Sequence, residues 1–132
     1  MQVVDPNCTR IENGTISAND PKATNFQKMS CGDQFNIPGF SAVITKVRER
    51  RFPIVDEERG LVYAIIFFDH AGIPEVELPD GSVRKITGPP FDSPFTFMIG
   101  ELFKIKNKKI TRIEAVLLAV PYGMPSGWGG SK

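Results

Sequence analysis

The chain has 132 residues, of which 41% are hydrophobic and 23% are charged. A single globular domain commonly holds about 100–150 residues of this composition, which excludes a disordered tail, a collagen-like chain and a disulfide-packed mini-protein. Its 16 basic and 15 acidic residues leave a net charge of +1, so we expect no nucleic acid or anionic membrane bound through bulk charge. We predict one domain over residues 1–128 and a short tail at 129–132.

Targeting signals, cysteines and sequons bear on the compartment in which the protein resides. No apolar run reaches the roughly 18 residues of a membrane span, and the N-terminus lacks the pattern of a signal peptide. Cys8 and Cys31 are either two buried thiols or one disulfide, which requires an oxidising compartment. Sequons at Asn7 and Asn13 modestly favour secretion, with the cytoplasm as the alternative.

Turn signals divide the first half of the chain into short elements. Residues 8–16 are compatible with an edge strand. Asp20 followed by Pro21 predicts one short helix that reaches about Phe35, with a break near Gly32 as the alternative. Residues 40–51 alternate in part and predict a strand, which Pro53 interrupts. Residues 61–69 are nearly all apolar and predict a strand that is buried on both faces.

Two hairpins are predicted in the second half. Asp80 and Gly81 form a strong turn signal between residues 75–78 and 83–86. Residues 95–106 and 109–120 then form a long hairpin. One short helix and five or six antiparallel strands make an α+β domain with a strongly curved antiparallel sheet and few helices.

The long hairpin predicts a pair of carboxylates. With a two-residue loop at 107–108, Phe103 faces Arg112 and Glu101 faces Glu114, all on one side of the sheet. Carboxylates directly opposite each other repel. Two interpretations remain open: a pocket in which one carboxyl is kept protonated as an acid or base, or an exposed ladder of Glu and Arg.

Other polar residues have both a functional and a structural interpretation. His70 follows the apolar strand beside Asp69, so it is either a general acid or base or a strand-end histidine bonded to backbone. Tyr122 either closes a pocket rim or attaches the tail to the sheet. The basic cluster at residues 46–51 is an anion site or, more simply, part of a solvated strand.

Sequence motifs for metals and common cofactors are missing. A single histidine and two distant cysteines argue against a zinc site. The chain has no Gly-rich phosphate loop and no nucleophile elbow. We therefore predict no cofactor and no metal.

Several motifs together carry a family resemblance. They are Cys8-Thr9-Arg10-Ile11-Glu12-Asn13-Gly14, Cys31-Gly32-Asp33-Gln34-Phe35, the run from Arg51 to Val62 with Phe67-Phe68-Asp69-His70, residues 101–105 with 113–116, and residues 121–128. As a set they resemble an uncharacterised family of fungal and bacterial proteins. That family is similar to the SnoaL-like, nuclear-transport-factor-two-like superfamily, and the match covers residues 5–128.

The resemblance implies a fold and a range of functions. The superfamily has a curved sheet wrapped around helices to form a conical pocket, and it includes ketosteroid isomerase, scytalone dehydratase, polyketide cyclases and proteins that only bind. Many members form dimers through the sheet, and fungal relatives are often secreted. Members usually begin with one or two long helices, whereas this chain starts near its first strand. We therefore expect an open cone that exposes an apolar patch.

The expected function is a small-molecule pocket that acts without a cofactor on an apolar, oxygenated metabolite, as an isomerase, cyclase or dehydratase. The alternative is a non-catalytic binding module or a homodimer formed through the sheet. Glu101 or Glu114 would move a proton with His70 as the second group, while Tyr122 or Arg112 would stabilise negative charge. The other predicted ligand contacts are Tyr63, Phe67 and Phe103.

Overall fold

A six-stranded sheet organises the protein. The computed structural model describes residues 3–37, 43–72, 75–85 and 88–128. The strands are β1 Val4–Glu12, β2 Thr15–Ala18, β3 Ile44–Asp56, β4 Leu61–Ala71, β5 Glu75–Glu77, β6 Val83–Lys85, β7 Pro94–Lys106 and β8 Lys109–Val120. The large sheet has the order β2-β1-β8-β7-β4-β3, and β5 pairs with β6 separately. Within these ranges, no helix has the length and apolarity to cross a bilayer.

The sheet is mixed, although a wholly antiparallel sheet was predicted. β1 runs parallel to β8, while the other neighbours are antiparallel. The predicted edge strand at 8–16 is in fact two strands, joined by a turn in which Asn13 and Gly14 have φ of 47° and 79°. Asn-Gly favours this hairpin turn, so β1 folds back on β2 and becomes an interior strand.

The segment before β3 contains two short helical pieces where one helix was predicted. A 3₁₀ turn spans Phe26–Lys28 and α1 spans Cys31–Phe35. Asn25 accepts a hydrogen bond from the Gln27 amide, and Ser30 accepts one from the Asp33 amide. Each cap starts a new helical piece, so closely spaced cap residues divide the segment.

The central strand agrees with its sequence pattern. β4 lies between β3 and β7, and its residues Ile66 and Phe67, which face opposite sides of the sheet, are both buried. The prediction that Pro53 interrupts the preceding strand is wrong, because β3 continues to Asp56. β3 is an edge strand, where a residue without an N–H group is tolerated.

An ion pair between Arg48 and Asp69, on one face of the sheet, anchors the C-terminal segment. The Arg48 guanidinium donates to both carboxylate oxygens of Asp69 at 2.8 and 3.0 Å and to the Met124 carbonyl at 2.9 Å. Burial disfavours the charge on Asp69, but hydrogen bonds from Arg48 and Thr96 outweigh it and keep the pKa of this carboxyl below its usual value. Arg48 therefore has a structural role.

The same surface accounts for two of the four basic residues of the cluster, Arg48 and Arg51. The Arg51 guanidinium donates to the Trp128 carbonyl and lies over the indole ring, while Glu49 accepts from the Ser126 amide. The residues at 121–128 thus pack on the face of the sheet that carries Asp69. These contacts favour the structural interpretation of the cluster over an anion site.

Both cysteines lie in a small core beneath α1. Cys8 and Cys31 are 0% exposed and carry free thiols. The Cys31 thiol donates to the Cys8 carbonyl at 3.1 Å. Burial, and then the neighbouring Cys31, raise the pKa of the Cys8 thiol to about 12. Formation of a reactive thiolate at Cys8 is therefore suppressed in the folded protein.

We predict that native protein resists alkylation by iodoacetamide at pH 8, because both thiols are buried and Cys8 is protonated. Mass spectrometry should detect no label on native protein and two labels once the chain is unfolded in guanidinium chloride. Rapid labelling of native protein would contradict the buried-thiol structure. Failure to label unfolded protein until reductant is added would instead reveal a disulfide.

Candidate active site

A cavity of about 700 Å³ opens on one face of the large sheet. This volume lies within the range of small-molecule pockets. Its apolar lining is formed by Val4, Phe26, Phe35, Val43, Ile44, Ile66, Phe68, Phe91, Phe97, Ile99, Phe103, Ile110, Ile113 and Leu117. Its polar lining is formed by Arg10, Glu12, His70, Arg84 and Glu101. We call the face that lines this cavity the inner face.

Strand alternation sets the inner face. On β7, Phe97, Ile99 and Glu101 occupy every second position and line the cavity. On β4, Phe68 pairs with Phe97 and Ile66 pairs with Ile99. Apolar side chains from the two strands therefore surround the one carboxyl group that β7 directs inward.

Glu101 faces a second carboxylate across a small residue. Glu101 pairs with Ala115 on β8, and Ala115 pairs with Glu12 on β1, so the two glutamates are two strand spacings, about 10 Å, apart at their Cα atoms. Burial is the main cause that raises the pKa of Glu101, followed by repulsion from Glu12. Attraction to Arg10 partly offsets both effects.

Arg10 is a buried cation at the same end of the cavity. Its residue is only 7% exposed. Its Nε donates to the Ser17 hydroxyl at 3.0 Å, and its Nη2 donates to Gln34 Oε1 at 2.6 Å. The Glu12 carboxylate lies 3.5 Å from Arg10 Nε. Two strands and α1 thus hold the guanidinium in place near Glu101. We call Arg10, Glu12 and Glu101 the polar end of the cavity.

His70 lies at the other end, among aromatic rings. Its ring stacks on Phe95 at 4.5 Å between centroids and meets Phe91 and Phe97 edge-on at 5.8 and 5.4 Å. Burial lowers the pKa of His70, against the opposing effect of its bond to the Phe68 carbonyl. We call His70 and these three phenylalanines the aromatic end.

The two ends are too far apart to act on one atom. His70 pairs with Phe95, which precedes Glu101 by six positions on the same strand, or about 20 Å of extended chain. The hypothesis that His70 is the second acid–base group beside Glu101 is therefore wrong for a single proton transfer. Both residues line the cavity, at opposite ends.

Glu114 and Arg112 do not join this site, contrary to the predicted register. Ile105 pairs with Ile110, but Lys104 pairs with Arg112, so Thr111 is an extra residue in β8. This β-bulge shifts the pairing by one residue and reverses the face of every side chain that follows. Glu114 and Arg112 form an exposed ion pair of 2.7 Å on the outer face.

The remaining predicted contacts divide between the two faces. Phe103 lines the cavity. Tyr63 lies on the outer face, where its hydroxyl covers the space that a Cβ on Gly100 would occupy. Phe67 lies on the outer face under Arg48, whose guanidinium is 5.2 Å from the ring centroid. Tyr122 is half exposed in the C-terminal segment, away from the cavity lining.

Arg10 and Glu12 were missed by the sequence interpretation. They occupy alternate positions on β1, which places both on the inner face. The same spacing is visible in the sequence from Cys8 to Glu12. This spacing directs both side chains into the cavity because β1 is an interior strand of the sheet. Among the described residues, no group of three or more His, Cys, Asp or Glu side chains is placed to hold a metal ion.

Comparison with known proteins identifies a family and a fold. The family described as "Domain of unknown function (DUF8021)" matches residues 2–117. No curated protein matches the chain. A crystal structure of AclR from Streptomyces galilaeus, described as a candidate hydroxylase, aligns with a TM-score of 0.50 at 11% identity, covering 90% of this chain and 65% of that one.

Two further structures align similarly. A candidate isomerase from Bacillus subtilis has a TM-score of 0.49 at 10% identity, covering 88% of this chain and 70% of that chain. AusH from Aspergillus nidulans has a TM-score of 0.48 at 13% identity, covering 88% and 68%. At 11% identity the likeness to AclR is one of fold alone, and the chain spans about two thirds of the length of these proteins.

We predict that Glu101→Gln stabilises the protein at neutral pH. The folded state holds the Glu101 proton more tightly than the unfolded state, so wild-type stability falls as pH rises from the ordinary carboxyl pKa through the raised one. A glutamine cannot ionise. Urea unfolding should show a gain of about 0.5–2 kcal/mol at pH 7.5, the range common for single stabilising substitutions.

The gain should shrink toward pH 4, where Glu101 is protonated in both states. Glu114→Gln is the matched control, because Glu114 is exposed on the opposite face. Its substitution should leave stability nearly unchanged at both pH values. Equal behaviour of the two variants would contradict the conclusion that partial burial raises the pKa of Glu101.

Proposed function

The chain belongs to the family described as "Domain of unknown function (DUF8021)" and has a SnoaL-like, nuclear-transport-factor-two-like fold, and we propose that it binds an apolar, oxygenated small molecule in its cavity and moves a proton on it without a cofactor. The observation that carries the proposal is the Glu101 carboxyl directed into a largely apolar cavity. Among the described residues, none donates a hydrogen bond to it.

The proposed step is proton removal from a carbon atom beside a ligand carbonyl. Ionised Glu101 takes the proton and becomes neutral, while the bonding electrons move toward the carbonyl oxygen and form an enolate. Return of the proton to another carbon completes an isomerisation. Burial raises the pKa of Glu101 and so makes it a stronger base than an exposed carboxylate.

Arg10 supplies a fixed positive charge for this step. Its guanidinium is held by Ser17 and Gln34, so it does not need to reorganise when negative charge forms on the ligand. Arg10 takes the charge-stabilising role that the sequence had suggested for Arg112 or Tyr122. Glu12 partly neutralises Arg10, which favours an uncharged ligand over an anionic one.

The test uses 2-tetralone, an apolar bicyclic ketone, in deuterated buffer. Proton NMR should show that wild-type protein accelerates exchange of the protons beside the carbonyl above the buffer rate. Glu101→Gln should lower this excess rate at least about 100-fold, since general-base catalysis typically contributes that much or more. Glu114→Gln should retain the wild-type rate.

Two results would contradict the catalytic proposal. One is an unchanged rate for Glu101→Gln, and the other is an absence of acceleration although calorimetry shows that 2-tetralone binds. The second result would favour the alternative, a pocket that binds a ligand without reacting with it.

We also infer that a second copy of the chain covers part of the outer face. Val116 is 73% exposed and Leu118 is 58% exposed there, beside the partly exposed Leu102. Glu114 and Arg112 flank this apolar patch with opposite charges. A two-fold axis brings such a patch against itself, so each copy can bury the apolar side chains of the other.

Sedimentation velocity at micromolar concentration should therefore show a dimer. The double variant Val116→Glu and Leu118→Glu should be monomeric, because it would place four carboxylates in the interface. Val83→Glu is the control, since Val83 is similarly exposed but lies on the separate β5–β6 hairpin. A monomeric wild type, or a dimer that tolerates the double change, would contradict this interface.

A further inference from the structure

The hydrogen-bonding state of His70 can be derived from its partner. His70 Nδ1 lies 3.0 Å from the Phe68 carbonyl oxygen. A carbonyl oxygen only accepts, so Nδ1 must carry the proton and donate. In the neutral ring, Nε2 then has a lone pair and no proton. Burial lowers the pKa of His70, which favours this neutral form at pH 7.

The Nε2 atom has no donor among the described residues. His70 is only 5% exposed and its ring is part of the cavity wall. Arg84 also lines the cavity, but it makes no hydrogen bond to His70. Among the described residues, no fully buried side-chain nitrogen or oxygen lacks a hydrogen-bond partner, so the unpartnered Nε2 must reach the open space of the cavity. His70 Nε2, at the aromatic end, is therefore a hydrogen-bond acceptor to which no described residue donates.

The surrounding rings fix the direction of that acceptor. Phe95 stacks on the imidazole, and Phe91 and Phe97 contact its edge. These contacts and the Nδ1 bond leave the ring little freedom to turn. They also provide flat apolar surfaces against which a ring of a ligand can pack.

We propose that His70 Nε2 accepts a hydrogen bond from a hydroxyl group of the ligand, and that the ligand is an elongated, uncharged multi-ring molecule with this hydroxyl at one end. The proposal rests on the proposed function of the cavity, and it assigns His70 to ligand selection, because Glu101 is about 20 Å away along β7. A ligand that reaches both ends presents its hydroxyl to His70 and its carbonyl to the polar end.

The experiment compares two probes that differ in one donor. 4-Hydroxybiphenyl has a hydroxyl group, and 4-methoxybiphenyl has nearly the same shape without a donor. Titration calorimetry at pH 7.5 should show that wild-type protein binds the phenol about 3- to 10-fold more tightly, as expected for one neutral hydrogen bond. His70→Phe should bind both probes equally and keep its affinity for the ether.

Two variants serve as controls. His70→Gln restores an acceptor through its amide oxygen and should recover part of the preference for the phenol. Glu101→Gln changes the other end of the cavity and should leave the preference intact. Circular dichroism melting checks that each variant folds.

The single histidine of the chain permits a direct test on the wild type, independent of any variant. In protein labelled with ¹⁵N-histidine, the free protein should show a protonated Nδ1 and a bare Nε2. Phenol should shift the Nε2 resonance in the direction of hydrogen bonding, and the ether should not. A proton on Nε2 of the free protein, or equal shifts with both probes, would overturn the assignment.

The outcomes separate this inference from the function on which it rests. Equal binding of both probes by wild type and His70→Phe would overturn the role of His70, while the ligand-binding cavity would stand. Failure of both probes to bind wild-type protein would overturn the proposed cavity function and this inference with it.

Discussion

The arrangement of the cavity depends on one extra residue in β8. The two-residue loop at Asn107 and Lys108 has positive φ at both positions, which suits the twist of a hairpin and starts the two strands in a fixed register. Thr111 then shifts that register by one residue. Ala115 rather than Glu114 consequently lies beside Glu101 on the inner face.

The small side chain of Ala115 has a chemical consequence. Because Ala115 is small, no bulky side chain of β8 stands between Glu101 on β7 and Glu12 on β1. The Glu12 carboxylate lies 3.5 Å from Arg10 Nε. Repulsion from Glu12 acts on Glu101, whose pKa burial already raises. The bulge thus places Ala115 instead of Glu114 beside Glu101, the carboxyl with the raised pKa.

Local patterns predicted those parts of the fold that depend on local chemistry. β4 was predicted because a run of apolar residues cannot be exposed on either face, and β7 and β8 because a turn separates two long strands. Glu101, His70 and Phe103 line the cavity. The parallel pairing of β1 with β8 joins residues about a hundred positions apart, and no local periodicity encodes it.

The errors at the site have the same origin. The hairpin loop places Glu101 opposite Glu114 only if the two strands pair without interruption. A bulge interrupts that pairing, and it leaves no clear mark on the alternation of residue types. Arg10 and Glu12 were missed because their place in the site depends on the pairing of β1 with β8. A carboxylate pair with a nearby arginine does exist, but Glu12 and Arg10 supply it in place of Glu114 and Arg112.

The basicity of Glu101 and the stability of the fold are linked by a single free energy. An ionised carboxylate in an apolar cavity is poorly solvated, and the folded protein bears that cost as lost stability whenever Glu101 is charged. The same cost favours proton uptake, so it drives removal of a proton from a bound ligand. A ligand that fills the cavity also displaces water that would otherwise solvate the carboxylate, which increases the effect. The apolar residues around Glu101 therefore both hold the ligand and set the strength of the base, and a change that made this end of the cavity more polar would stabilise the fold at the expense of proton transfer.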